Sequence, residues 1–344
     1  MPRTTIDDVA RTAGVSKSTV SRVLAGQIRY VRDETRQRVL DAIDELEYHP
    51  SSVARSLISK SSCALGVVGY GLEYFGPSCT LSGVEQEASK RGYTVLLNLI
   101  RQPETNDVEK LLGEFFSRYV DGIIWGVPEI GDNRAWIKQE TVSLSVPIVF
   151  LSMQPLPDHF TVAVDNYSGG RMATRHLIDQ GCQNIGLIAG PLDWWEARQR
   201  KLGWREALEG VGLPGKDSLI AEGNWSAASG ARGLSQLLAR HPDIDGVFAC
   251  NDQMALGALK AARQLGRRVP QDLVIIGFDD TPEAAYFYPP LSTVRQDMVE
   301  LGRLAVRELS QAIESDRNGD PSAPKTVWLQ PELIVRESSI LTEN

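Results

Sequence analysis

Apolar residues recur at Ile6, Val9, Ala10 and Ala13, the i, i+3, i+4, i+7 stripe of a short amphipathic helix. Gly14, able to take positive φ, ends that helix. Val15 follows, and Ser16 offers an N-cap for a second helix over 17–24, with Val20, Val23 and Leu24 turned inward. Asp33 and Glu34 open a third helix that carries Val39, Leu40, Ile43 and Leu46 on one face. Two short helices about a Gly-containing turn, braced by a third, predict a small all-α helix-turn-helix headpiece over residues 1–49. Pro50 stops the third helix. Residues 50–61 form a linker in which Ser51 can cap a helix of about two turns, too short to hold alone in water.

From Leu65 the pattern changes to short β-rich runs alternating with helical stretches. Strands are predicted over 65–69, 94–99, 122–125, 147–151 and 161–164, and a second series follows at 185–189, 219–221, 246–249 and 273–276. Helices fall at 80–91, 106–118, 168–180, 196–209, 226–240 and 253–265. Alternation of this kind builds parallel sheets covered by helices on both faces. Two successive series predict an α/β core of two parallel-sheet lobes, with a ligand cleft at the C-terminal strand ends.

Charge is divided unevenly along the chain. The net charge of −8 over 344 residues, taken whole, argues against a nucleic acid partner. Residues 1–60, however, carry 10 Lys and Arg against 8 acidic residues, and the remainder carries 26 against 36. A basic head on an acidic body implies that only the head meets a polyanion. In a helix-turn-helix the second helix enters the major groove. Its exposed residues here, Lys17, Ser18, Thr19, Ser21 and Arg22, all form hydrogen bonds and none is acidic. Arg22 can grip a guanine edge at two points, and Lys17 can reach guanine or phosphate. Ser16, Thr19 and Ser21 suit phosphate oxygens. The plainer alternative is a helical bundle with a solvated polar face.

Composition, at 42% apolar and 23% charged, is that of a folded globular chain of two or three domains. No apolar run approaches the roughly 20 residues of a membrane span, and no apolar stretch follows the N-terminus as a secretory signal would. Cys63, Cys79, Cys182 and Cys250 lack CxxC spacing and read as reduced, mostly buried thiols of a cytoplasmic protein. Gly210 to Lys216 matches the GxxxxGK part of a phosphate-binding loop, but Asp217 stands where the magnesium-binding hydroxyl belongs. That segment also runs from helix to strand, so it reads as a plain turn. No GxSxG occurs, and the four histidines lack metal-ligand spacing, so neither enzyme, metal nor cofactor is expected.

The strings Thr5-Ile6-Asp7-Asp8-Val9-Ala10, Ala13-Gly14-Val15-Ser16, Thr19 to Leu24, and Thr35-Arg36 to Tyr48-His49-Pro50 closely resemble the head of the LacI/GalR family of bacterial transcription regulators. The resemblance continues through Leu187 to Pro191, Cys250 to Gly257, Gly277 to Thr281 and Pro289 to Asp297, and so covers nearly the whole chain. It implies a homodimer on near-palindromic double-stranded operator DNA, and a core like a periplasmic sugar-binding protein. The DNA-facing residues it implies are Thr5, Ile6, Ser16, Lys17, Ser18, Thr19, Ser21, Arg22, Tyr30 and Val31. The linker becomes a hinge helix that inserts Leu57 between base pairs in the minor groove, with Ala54 and Arg55 beside it. The implied lobes are 62–163 with about 293–325, and 164–292 with about 326–344. The C-terminal residues hold no heptad run, so no coiled-coil tetramer is expected.

Trp194 and Trp195 follow a strand end, and neighbouring loop indoles rarely face one core, so at least one is expected in the cleft, where indole stacks on the flat face of a sugar. Trp136, Trp204 and Trp328 are expected in the core. Carried over from the family, Arg198 bridges effector hydroxyls, Trp225 stacks, Asn251 and Asp279 are strand-end polar contacts, Tyr70 and Tyr74 form the rim, and Asp165 reaches the cleft. Trp225, Asn251 and Asp279 together resemble the lactose repressor branch, from which Ser152 departs because that branch has a carboxylate there. The expected effector is a mono- or disaccharide of galactoside or glucoside type. A purine or nucleoside effector is the alternative within the family, and a sugar-binding protein without a DNA role is the alternative outside it.

Overall fold

The computed structural model describes residues 4–24, 31–48, 61–103, 108–138 and 145–340. They divide into a head, up to Ala64 with Tyr119–Asp121, and a core of Leu65–Arg118 with Gly122 onward.

In the head, α1 (Ile6–Ala13) begins at Thr5, whose backbone N–H and hydroxyl both donate to the Asp8 carboxylate, at 3.0 and 2.7 Å. These bonds hold the Asp8 carboxyl below the usual carboxylate range. Gly14 takes φ 63°, and Val15 donates back to the Ala10 carbonyl at 3.0 Å, closing the helix with a left-handed cap. The turn delivers α2 (Lys17–Leu24), whose Thr19 N–H donates to the Ser16 hydroxyl at 3.2 Å. α3 (Asp33–Glu45) braces the pair. Val9, Val20 and Val39 are fully buried between the three helices, with Ala10, Ala13, Ala42 and Tyr48 around them. After the helices, Ser61, Ser62 and Cys63 are fastened to the Asp121 carboxylate by hydrogen bonds of 2.7 to 3.1 Å.

The first lobe of the core runs β1 (Ala64–Gly69), α4 (Phe75–Lys90), β2 (Thr94–Leu99), α5 (Val108–Ser117), β3 (Gly122–Gly126), α6 (Ala135–Lys138), β4 (Ile148–Leu151) and β5 (Phe160–Val164). The second runs α7 (Asn166–Asp179), β6 (Ile185–Ala189), α8 (Trp195–Glu209), β7 (Ile220–Glu222), α9 (Ala227–Arg240), β8 (Gly246–Ala249), α10 (Asp252–Gln264) and β9 (Val274–Ile276). The chain then adds β10 (Thr293–Arg295), α11 (Met298–Arg317), β11 (Thr326–Leu329) and β12 (Glu332–Ile334). One sheet has the order β11-β5-β4-β3-β1-β2 and the other β7-β6-β8-β9, the latter parallel throughout. β1 and β3 are buried along almost their whole length and β6 and β8 along all of theirs, as strands covered on both faces must be.

Pairing moves two of the expected lobe boundaries. β11 lies parallel to β5, with Trp328 opposite Ala163, so 326–329 complete the first lobe's sheet rather than opening the second lobe's tail. β10 pairs with β12, and bridges at Ile276–Ser292 and Asp279–Arg295 tie it to the end of β9, so 293–295 belong to the second lobe. Backbone hydrogen bonds decide membership, and the hydrophobic pattern of a short strand does not reveal its partner. α11 buries Leu301, Ala305, Val306, Leu309 and Ile313 against β3, β4 and β5 of the first lobe. It crosses α4 closely: a Cβ on Gly83 would fall 1.9 Å from the Val299 carbonyl oxygen, and one on Gly302 would fall 2.1 Å from that of Thr80.

Trp204 is fully buried and Trp136 packs on Trp125 and Phe150. Trp328 is instead 42% exposed, because it lies on the edge strand. Only Cys182 and Cys250 are buried, their thiols pushed up to about 12 by desolvation, whereas Cys63 is exposed and Cys79 half-buried. The segment resembling a phosphate loop is a turn after α8, and Asp217 is held by Arg205 and Lys201. Among the described residues, no helix is long and apolar enough to cross a membrane, and no group of three or more His, Cys, Asp or Glu is placed to hold a metal ion.

Candidate functional site

The head presents one polar face. Lys17, Ser18 and Arg22 on α2 are exposed, as are Thr5 and Ser16, while Thr19 and Ser21 are half-buried at its margin. The Ser16 hydroxyl lies 2.8 Å from that of Ser18 and 2.9 Å from that of Thr19, which gathers three hydroxyls at the first turn of α2. Lys17 pairs with Asp7. Arg22 stands in the last turn with its side chain in solvent. Ile6 and Val31 are half-buried. Tyr30, Ala54, Arg55 and Leu57 lie outside the described residues.

The core holds a cavity of about 540 Å³ between its lobes. Of the residues expected there, Tyr70, Tyr74, Trp194, Trp225, Asn251 and Asp279 line it. Trp194 is the centre of an aromatic cluster. Its ring meets Tyr74 at 5.8 Å and Trp225 at 5.7 Å, both edge to face, and Tyr70 at 6.3 Å. An antiparallel bridge between Ile130 and Trp194 pins this loop of the second lobe to the first. Trp225 lies directly on Gly190, where a Cβ would come within 2.1 Å of the ring. Only glycine at the end of β6 lets the indole reach the cavity wall.

Asn251 caps α10, accepting from the Met254 N–H at 2.8 Å, and its amide donates to the Trp225 carbonyl and to Gln253, both at 2.9 Å. Both amide hydrogens are thereby used, so Asn251 chiefly fixes Trp225. Asp279 accepts from Gln296 at 2.5 Å and is raised above the usual carboxylate range by burial. Ser152 (φ 52°), Trp225 (φ 67°) and Asp279 (φ 118°) all take left-handed backbone conformations that L-residues disfavour. Strain of this kind gathers at binding sites, where it aims side chains that a relaxed backbone would turn away.

Three expected residues are not in the cavity wall. Trp195 is buried behind it and stacks on Trp328 at 6.4 Å. Asp165 spends its carboxylate on capping α7, accepting from the Ser168 N–H at 2.9 Å. Arg198 pairs with Glu129 at 3.1 Å and donates to the Asp193 carbonyl at 2.7 Å, outside the cavity. The cavity arginine is Arg200, two residues on and so about 200° around α8. Arg200 donates to Asn166 Oδ1 at 2.7 Å and to the Cys250 carbonyl, and lies 3.9 Å from Asp279. Its guanidinium lies 3.8 Å from the Phe278 ring centre and 5.6 Å from that of Trp225. Its Nη2 makes none of these hydrogen bonds.

The sequence reading also missed Glu196, one helical turn before Arg200 on the cavity side of α8. Ser152 lies near its carboxyl, which desolvation pushes up to about 7. A signal for Arg200 was present: it falls in the otherwise small and apolar stripe Ala197, Arg200, Gly203, Trp204, Ala207, Leu208 that α8 buries.

A model of the LacI family of bacterial regulatory proteins matches residues 5–51, and one of a periplasmic binding protein-like domain matches residues 174–339. The HTH-type transcriptional repressor PurR of Mannheimia succiniciproducens is 36% identical over 341 residues, 97% of this chain and 98% of its own. The ribose operon repressor of Halalkalibacterium halodurans is 37% identical over 342 residues, 99% of this chain and 98% of its own. Among solved structures, a complex of the transcriptional regulator CelR with cellobiose aligns with a TM-score of 0.72 at 33% identity, over 98% of this chain and 100% of the other. A lac repressor dimer bound to operator and the anti-inducer ONPF aligns at 0.87 and 30%, over 98% and 100%. The chain therefore belongs to the LacI family: it is a DNA-binding transcriptional repressor with a helix-turn-helix headpiece and an effector-binding core of two α/β lobes.

Proposed function

We propose that this repressor binds a near-palindromic operator as a homodimer and that a neutral sugar, a mono- or disaccharide, sets its operator affinity from the cavity of the core. The observation that carries the reading is the pairing of indole walls with hydroxyl-binding groups. Trp194 and Trp225 offer flat apolar surface, and Arg200 and Asp279 lie 3.9 Å apart beside them, one able to donate and the other to accept. A volume of about 540 Å³ suits a ligand of this size class. The similarity to a cellobiose-bound regulator and to lac repressor points the same way. In the head, Arg22, Lys17 and Ser18 are assigned to bases, and Ser16, Thr19 and Ser21 to phosphates.

A purine effector is the second reading, favoured by the similarity to proteins named PurR and by aromatic walls that could also clasp a base. A thermal-shift panel of neutral mono- and disaccharides against hypoxanthine, guanine and nucleosides separates the two. Stabilisation by a sugar, followed by a change in operator affinity with that sugar, supports the first. Stabilisation by purines alone refutes it.

A further inference from the structure

Glu196 is a carboxyl without an assigned task. It stands in the first turn of α8 and reaches from the second lobe to Ser152 of the first, on the cavity wall. Its Oε2 is shielded from solvent and has no hydrogen-bond partner among the described residues. A desolvated carboxyl oxygen left unpaired is costly, and within a cavity wall it marks a place where a ligand donor belongs. The charged groups facing it are Arg200 from its own helix, and Glu129 and Arg134 from the first lobe. Neither arginine is committed to it: Arg200 holds Asn166 and the Cys250 carbonyl, and Arg134 holds the Val127 carbonyl.

We propose that Glu196 is a specificity-determining residue of the effector site, accepting a hydroxyl of a neutral, hydroxyl-rich ligand on its carboxylate. The proposal rests on the sugar reading and sharpens it. Glu73, Glu196 and Asp279 are set against Arg200 in the wall, so the cavity accepts hydroxyl donors and disfavours anions such as a sugar phosphate. Hydroxyls that donate to the ionised carboxyl favour its charged form. With a free carboxyl that burial raises to about 7, the ligand binds more tightly above neutrality and releases a proton on binding.

The test is isothermal titration of the sugar found by screening, at pH 6 and pH 8, on the full-length protein and on Glu196→Gln. For the wild type, affinity rises about tenfold from pH 6 to pH 8. For Glu196→Gln the rise is lost, and affinity at pH 8 falls about tenfold or more. Asp279 faces the same cavity and is also raised by burial, so a pH rise that survives intact in Glu196→Gln belongs elsewhere and overturns the proposal. Wild-type affinity in Glu196→Gln overturns it as well. Carboxyl carbon NMR of Glu196 in the wild-type protein gives a reading free of any folding defect: the ligand lowers its titration midpoint, and an unmoved midpoint refutes the assignment. Purine binding without sugar binding removes the sugar reading together with the proposal, whereas sugar binding without the Glu196 effects removes the proposal alone.

Discussion

Arg198 and Arg200 stand two residues apart on one helix, and the structure gives them unequal consequences. Replacing Arg200 by Met keeps much of the side-chain volume and removes the guanidinium. Asn166 Oδ1 and the Cys250 carbonyl then lose their donor, and Asp279 loses the cation 3.9 Å away. Breaking a buried charged pair costs about 3–5 kcal/mol of stability. If Arg200 also gives one charge-assisted hydrogen bond to the ligand, worth about 1.5–3 kcal/mol, effector affinity falls about 10- to 150-fold. Arg198→Met loses a partly exposed pair with Glu129, worth about 0.2–1 kcal/mol, so Kd changes by about fivefold at most. Urea denaturation followed by Trp fluorescence gives the stability change, and isothermal titration with the identified effector gives the affinity. Equal loss of effector binding in both variants, or a larger loss in Arg198→Met, would refute the assignment of Arg200 as the cavity arginine.

Gly190→Ala puts a methyl against the Trp225 ring, and the overpacking costs about 1–3 kcal/mol in urea denaturation while effector affinity drops. An unchanged midpoint and affinity would show that the ring need not lie on Gly190. Arg22→Ala relaxes base preference at one operator position by about 1–3 kcal/mol, read by competition binding across operator variants, and undiminished selectivity removes Arg22 from base readout. Glu196 gives a pH dependence of fixed sign. Its folded value, about 7, lies above the ordinary glutamate value of 4.5, so the folded state holds the proton more tightly and the contribution to stability is greatest below pH 4.5. Stability is lost as pH rises from about 4.5 through 7, by no more than about 3 kcal/mol. Urea melts at pH 5 and pH 8 on wild type and Glu196→Gln measure it, and an equal change in both assigns the effect to other groups.

The head was legible in detail because its helices are short, capped and sharply amphipathic: the limits of α1 and α2 follow from the apolar stripes, Gly14 and Ser16. The central strands were legible because burial on both faces makes them apolar runs. α11 was not placed in advance, although Leu301, Ala305, Leu309 and Ile313 recur at four-residue spacing. Its stripe alone does not say which sheet it covers, and the same holds for β11, whose partner β5 lies far back in the chain. In the cavity, aromatic residues at strand ends were found because a strand end points into a cleft. Arg200 and Glu196 were missed because membership there depends on the rotation of α8, and Arg198 looked equivalent in the linear sequence. Ser152 stood out as the position lacking a carboxylate, and the structure sets it in the same cavity wall as the carboxyl of Glu196.

If a sugar in the core governs operator binding by the head, operator affinity must change with the sugar. Fluorescence anisotropy of a labelled operator duplex, titrated with the full-length protein in the absence and presence of saturating sugar, tests it most directly. The expected result is a sugar-dependent shift in operator Kd of about 5- to 150-fold, abolished in Arg200→Met. An operator Kd that no sugar moves, or that moves equally in Arg200→Met, would contradict it.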